Sequence, residues 1–394
     1  MKDYRYHTPD GVSDLLPAEC FAKKESERRL RQLFALHGYR EIETPGMEYL
    51  DVFTGGGFVA AENLCKMTDA DGRLIGLRYD GTIPAARVAA GLLRDEPLPL
   101  RLSYIENMYR FRESGGGRQK EFTQAGVELL GASEPVADAE VIALAIAAAR
   151  EAGIEDMQVS LGQVEFFLGL MEDWGIDAEN ARQISSLIDR KDIVALEKAA
   201  ERYLTDADQR ELLLMLPALF GTYEVLNAFA ARVSGTRARA ALDNLREILG
   251  ILEDYGCLSY ISVDLGMLPG LDYYTGMIFK GFTYEIGFPI FSGGRYDRVT
   301  SAFGRDMPAV GFSMGVNLCL TALRRQRGIS EIRSVDVLVG CTATPQARKS
   351  AIQKLAELRA SGQRAILDVR YPTEADLLDF ARQSGVEQVL FFDK

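Results

Sequence analysis

The chain has 394 residues, 47% hydrophobic and 26% charged, with a formal net charge of −12. This is a globular composition with room for two or three domains, and its acidic balance argues against a protein whose main task is to grip nucleic acid. Five scattered cysteines (Cys20, Cys65, Cys257, Cys319, Cys341) and two histidines (His7, His37) show no paired spacing, so neither a disulfide framework nor a metal site is expected.

The opening text "MKDYRYHTPDGVSDLLP" has no apolar core, and "VIALAIAAA" from Val141 is too short for a bilayer. A cytoplasmic protein without membrane contact is expected. Pro17 opens a helix with Phe21, Leu30, Leu33 and Phe34 at helical spacing, and Gly38 closes it. "YREIETP" alternates as a short strand. "LCKMTDADGRLIGLRYDGT" reads as a hairpin turning at Asp71-Gly72. "LRLSYIENMYRFRE" and "RQKEFTQAGVELLG" are two strands around "SGGGR", too close for a crossover helix and therefore antiparallel.

From Val136, "VADAEVIALAIAAAREAG" is a helix, and "DMQVSLG" a strand. The text at about 165–256 is rich in Ala, Leu, Glu and Arg without a strand signal, which predicts a helical insertion. Strand patterns resume in "YISVDLG", "MIFKGFTYEIG" and "FSGGRYDRV", and "MPAVGFSMGVNLCLTALRRQ" is a strand leading into a helix. These elements form one unit over about 1–330. The remaining 334–394 read β-α-β-α-β, a small α/β domain with a parallel sheet and no Gly-rich dinucleotide fingerprint.

Four groups carry chemistry: Arg78, Asp80 and Thr82; Arg110, Arg112, Glu113, Arg118, Gln124 and Glu128; Asp272, Tyr273 and Tyr274; and Arg295, Tyr296 and Asp297. In a strand, Gln124, Gly126 and Glu128 share a face, and the glycine leaves that face open to a ligand. Acids and amides opposite phenols suit a small zwitterion, while the arginines suit phosphate or carboxylate.

In order and interval, these groups resemble the histidyl-tRNA synthetase family over nearly the whole chain. "TPDGVSDLLP" is similar to its N-terminal entry, "IETP" to the end of its dimer-forming motif 1, and "MYRFRE…GRQKEFTQAGVE" to motif 2. "GLDYYTG" and "SGGRYD" resemble the two histidine-specific signatures, and "PAVGFSMG" the start of motif 3. The resemblance implies an α+β, class II aminoacyl-tRNA-synthetase-like antiparallel sheet flanked by helices, with the helical insertion, and an anticodon-binding-like domain that stops after its third strand. It also implies a dimer core.

The departures point away from catalysis. The family's arginine before "GLDYY" is Pro269 here, and its ATP-binding Glu-Arg pair after motif 3 is Asn317-Leu318. Arg110 is followed by Phe111 and Arg112 instead of a glutamate two residues on. A lost preorganised cation costs about 3 kcal/mol, on the order of 10²–10³ in rate. The C-terminal arginines and lysines, Arg348 and Lys354 among them, are balanced by acids such as Asp336 and Glu357, a poor grip on tRNA.

A synthetase-like chain that keeps the amino-acid wall but loses the adenylation set resembles the ATP phosphoribosyltransferase regulatory subunit family. That resemblance implies no catalytic residues and no cofactor. It implies a partner in the short-form catalytic subunit, and histidine as feedback effector in histidine biosynthesis. The expected histidine site is Asp80, Thr82 and Gln124 on the ammonium, with Glu128 and Tyr274 on the imidazole and Tyr273 beside them. Arg112 or Arg118 would replace the arginine missing at Pro269, and Arg110 and Arg118 are possible anion contacts. An active synthetase, or a histidine-binding paralogue serving another partner, are the competing readings.

Overall fold

A computed structural model describes residues 4–110, 119–218, 220–268, 273–327 and 335–394. The chain divides into a unit of Met1–Gly328 and a unit of Ile329–Lys394.

Among the described residues the larger unit has twelve strands: β1 (Arg40–Glu41), β2 (Met47–Tyr49), β3 (Lys66–Thr68), β4 (Leu74–Leu77), β5 (Leu100–Tyr109), β6 (Glu121–Leu130), β7 (Met157–Gln163), β8 (Phe220–Gly221), β9 (Ile261–Asp264), β10 (Met277–Thr283), β11 (Phe291–Arg295) and β12 (Ala309–Gly315). Nine of them form one sheet in the order β1-β5-β6-β12-β11-β10-β7-β9-β8. Its centre is antiparallel, from β5 through β6, β12, β11 and β10 to β7. Two pairs depart from the expected antiparallel pattern: β1 with β5 and β7 with β9 are parallel. Both join distant segments, which frees their direction from hairpin geometry. The hairpin β3–β4 forms as expected and takes β2 on its other edge as a separate three-stranded sheet.

Period two in β6 decides how the sheet is used. Ala125, Val127 and Leu129 face the helices Pro17–Leu36 and Pro135–Glu151, and pack with Leu30, Phe34, Val141 and Phe312 in the main core. The opposite face carries Gln124, Gly126, Glu128 and Leu130. At its Leu130 end that face lies under the helix Thr82–Ala90, whose Ile83, Ala86 and Ala89 pack with Leu100, Leu102 and Ala309. At the Gln124 end it is open. That helix has no strong sequence signal, being a short alanine-rich run behind "YDGT"; its first turn is held by the Ile83 N–H, which donates to Asp80 Oδ1 at 3.1 Å.

The segment between β7 and β9 is mainly helical, including Ala178–Asp189, Ile193–Tyr203 and Thr236–Asp254. One correction applies: the two-residue β8 lies inside it and joins the sheet edge against β9. A pairing that short leaves no periodic trace in sequence.

The smaller unit holds β13 (Val337–Cys341), β14 (Ala365–Leu367) and β15 (Gln388–Phe392), all parallel, in the order β14-β13-β15. Val337, Val339 and Cys341 pack on Ala347, Ala351 and Leu355 of the helix Pro345–Ala360. Leu338 packs on Leu377 and Ala381 of the helix Glu374–Gln383. β13 is therefore covered on both faces, which is why it reads as a continuous apolar run.

Phe312 is buried and meets Phe34 and Phe291 edge-on, with centroids 6.1 and 6.4 Å away. Phe312→Ala is expected to cost roughly 3–5 kcal/mol, read as a lowered denaturant midpoint with an unchanged slope.

Candidate functional site

The open end of the sheet face holds a cavity of about 200 Å³, lined by Phe58, Val59, Tyr79, Asp80, Thr82, Arg110, Gln124, Tyr273, Tyr274, Tyr296 and the strand residues Ser292–Gly294 and Gly311–Ser313. Two neighbouring strands of its floor place glycine opposite glycine, Gly294 and Gly311. Gly126 lies beside Ser313, and Gly311 beside both Glu128 and Gly294. A Cβ on Gly294 would lie 2.9 Å from the Tyr274 ring, and one on Gly126 would lie 2.5 Å from the Tyr104 hydroxyl. Any side chain there would displace the phenols.

Gln124 is buried, and its carboxamide Nε2 donates to Ser313 Oγ at 2.7 Å. Its Oε1 is buried without a partner. Asp80 accepts the Ile83 N–H at the start of its helix, and burial pushes its carboxyl above the usual range. Burial likewise raises the Tyr274 hydroxyl to about 12, with the charge of Glu128 adding to the effect. Tyr273 packs against Tyr274 at 5.0 Å and Tyr296 at 5.9 Å, closing one wall as an aromatic stack.

Glu128 does not line the cavity. It is 1% exposed and lies one side chain behind the wall: Tyr104 Oη donates to its Oε1 at 3.1 Å, and Tyr296 Oη donates to its Oε2. Thr82 supplies a further hydroxyl. Burial raises the Glu128 carboxyl to about 8 despite these donors, and the charge of Asp80 pushes the same way.

Arg110 stands at the rim, its guanidinium 4.7 Å from the Tyr79 ring and 5.3 Å from that of Phe122, with Nε donating to the Tyr79 carbonyl at 3.2 Å. It also borders a second cavity of about 300 Å³, with Gln119, Phe122, Ile286, Phe288, Asn317, Leu318 and Arg325. Asn317 Oδ1 accepts the Thr123 N–H at 2.8 Å and so ties a helix start to β6. Leu318 stands against Gly315.

The structure thus brings Asp80, Thr82, Gln124, Tyr273, Tyr274 and Arg110 together, with Glu128 behind them. Arg112, Glu113, Arg118, Pro269 and Asp272 lie outside the described residues. Arg78 is buried in a pair with Glu106 at 2.6 Å, and Arg295 in a pair with Asp138 at 2.6 Å; both brace the sheet instead of lining the cavity. Tyr104 is not among the residues the sequence singles out, and Tyr296 is among its chemistry-bearing groups but not in the expected histidine set. Alternation in β5 and past Gly294 places both on the open face, a signal present in the sequence but indistinguishable from packing.

Residues 11–318 match the family model described as histidyl-tRNA synthetase. The chain is 46% identical over 391 residues to an ATP phosphoribosyltransferase regulatory subunit of Acetivibrio thermocellus, covering 99% of this chain and 93% of that protein. It is 45% identical over 360 residues to the protein of the same name from Ruminiclostridium cellulolyticum, covering 91% and 85%. The chain belongs to the ATP phosphoribosyltransferase regulatory subunit family. It is a regulatory subunit, not a catalytic one. A solved structure from Bacillus halodurans, described as an ATP phosphoribosyltransferase regulatory subunit/histidyl-tRNA synthetase, superposes with a TM-score of 0.89 at 30% identity, covering all of both chains. Histidyl-tRNA synthetase from Nostoc shares the fold at 19% identity, with a TM-score of 0.85 over 99% of this chain and 92% of that one.

Glu128 holds its proton more tightly folded, at about 8, than at its ordinary 4.5. Its contribution to stability is therefore complete below about pH 4.5 and is lost as pH rises towards 8. Glu128→Gln should flatten that decline, measured by thermal unfolding of both proteins across the same interval.

Proposed function

We propose that this chain is the histidine sensor of an ATP phosphoribosyltransferase, assembled with a short-form catalytic subunit and performing no chemistry of its own. The observation that carries the reading is Gln124 Oε1, a buried acceptor without a partner on a wall shared with Asp80. An orphaned buried acceptor costs about 1–3 kcal/mol, and an incoming ammonium group would remove that cost. Asp80, Thr82 and Gln124 take the α-ammonium of histidine. Tyr274 borders its ring, with Glu128 acting from behind Tyr296. The carboxylate pairs with Arg110 at the rim; Arg112 and Arg118 lie outside the described residues.

The neighbouring cavity explains why binding does not lead to adenylation. Stabilising charge at a reacting phosphate requires cations fixed in advance. At the two positions after motif 3 stand Asn317, occupied by Thr123, and apolar Leu318. Pro269 has no charge to offer. Histidine acts by binding one state of the assembly better than another. The balanced charge of the smaller unit supports no tRNA role, and among the described residues no helix is long and apolar enough to cross a membrane.

A dimer core is part of the same reading. Met47, Tyr49 and Met67 are exposed on one face of the small sheet, with Tyr49, Ile75 and Met67 in one register row. Met47→Asp is expected to shift sedimentation towards monomer, and an unchanged sedimentation coefficient would count against this surface.

The deciding assay is the phosphoribosyl-transfer rate of a matched short-form catalytic subunit, with and without this chain, across a histidine titration. Activation that histidine reverses is expected; no change in rate would remove the reading, and histidine-dependent pyrophosphate exchange would replace it with the synthetase. Asp80→Asn keeps the helix-capping oxygen but loses the charge. It should raise the inhibitory histidine concentration roughly tenfold or more.

A further inference from the structure

We propose that Phe58 is a lid on the histidine cavity, swinging on the glycines Gly55–Gly57 to close over the ligand's ring. This rests on the histidine-binding reading above and deepens it, by assigning the residue that retains the ligand and favours one carrying a flat ring.

Most walls of the cavity are fixed by the elements they belong to. Ser292–Gly294 and Gly311–Ser313 are paired in β11 and β12, and Asp80 is tied to the helix Thr82–Ala90 through the Ile83 N–H. Tyr273 packs on both Tyr274 and Tyr296. Phe58 is placed differently. It arrives from the loop after the helix Leu50–Thr54, directly behind three exposed glycines in a row. That loop is pinned at both ends: Gly55 N–H donates to the Asp51 carbonyl at 2.8 Å, and Val59 N–H to the Phe53 carbonyl at 3.2 Å. Val59 is itself buried, in one core cluster with Phe53 and Ile83. Between these anchors the turn carries no side chain until Phe58, so displacing the ring is a local swing that leaves the sheet in place. Gly57, at φ +72°, supplies the hinge, since glycine takes left-handed backbone without strain and small residues absorb such rotations most easily.

The ring rests against its own loop and the aromatic wall. It meets Tyr273 edge-on, with centroids 6.2 Å apart and planes at 90°. It also covers Gly56, where an added Cβ would fall 2.2 Å from its Cε2 and Cζ. Even so, Phe58 is only half-buried at the cavity wall, and its remaining apolar area is stabilised by further burial. A ligand with a flat ring offers it that burial together with a face or an edge to pack on. Histidine's imidazole is such a ring.

Amide hydrogen exchange of the full chain, with and without saturating histidine, tests the movement. Histidine should slow exchange across Gly55–Val59 several-fold, because the closed lid holds the loop. Calorimetric dissociation constants test the contact. Phe58→Ala should weaken histidine binding roughly tenfold, and Phe58→Tyr should restore it to within about threefold of wild type. Gly56→Ala, which keeps the ring but pushes it from its seat, should also weaken binding. Melting curves check that each variant folds; should Phe58→Ala fail, the wild-type exchange result decides alone. Unchanged exchange across Gly55–Val59, with Phe58→Ala binding histidine within about twofold of wild type, would overturn the lid and leave histidine binding intact. Absence of histidine binding by the wild-type protein would overturn the reading it rests on.

Discussion

The carboxyl of Glu128 holds together parts of the chain that the sequence keeps far apart. Tyr104 reaches it from β5, Tyr296 from the turn after β11, and Thr82 from the helix that covers the far end of the same face. A carboxyl closed to solvent is costly unless its oxygens are occupied, so these hydroxyls must be in place for the sheet to close. Once they are, they set the back wall of the cavity. The facing glycines of β12 and β11, Gly311 and Gly294, then contribute to the floor.

From that constraint follows the kind of ligand the cavity suits. Among the described residues the cation beside Asp80 is Arg110 at the rim, while other buried acids are directly matched: Glu106 by Arg78 and Asp138 by Arg295. The contrast separates structure from function within one sheet. Matched pairs brace it, while Asp80 lines the opening beside an orphaned amide oxygen and Glu128 lies behind that wall. A small cationic zwitterion satisfies Asp80 and that oxygen at once. At the two positions after motif 3 the adjoining cavity has the already hydrogen-bonded Asn317 and the apolar Leu318, while Arg110 and Arg325 border it elsewhere.

The fold was largely legible in the sequence where period and punctuation agree. The hairpin of β5 and β6, the helix Pro17–Leu36 and the β-α-β-α-β order of the smaller unit all follow from alternation, helical spacing and turn residues. Elements without such signals escaped: the two-residue β8, the helix Thr82–Ala90, and the parallel pairings of β1 and β7. Each depends on contacts made at a distance, and no local pattern encodes them.

For the site, the sequence by itself determined the inventory. It placed Gln124, Gly126 and Glu128 on one face, put proline and leucine where catalysis would need arginine, and kept Asp80, Thr82 and Tyr274. Only the tertiary structure decided the roles. Side-chain alternation says which face a residue takes, but not which neighbour arrives to cover it. Tyr104 and Tyr296 cover Glu128 and set it behind the wall, while Gln124 is left with an open acceptor inside the cavity. Arg78 and Arg295, indistinguishable in sequence from ligand-binding arginines, are drawn into buried pairs. Burial and partnership belong to the assembled sheet, and they sorted a list of polar residues into buried braces and the walls of a cavity.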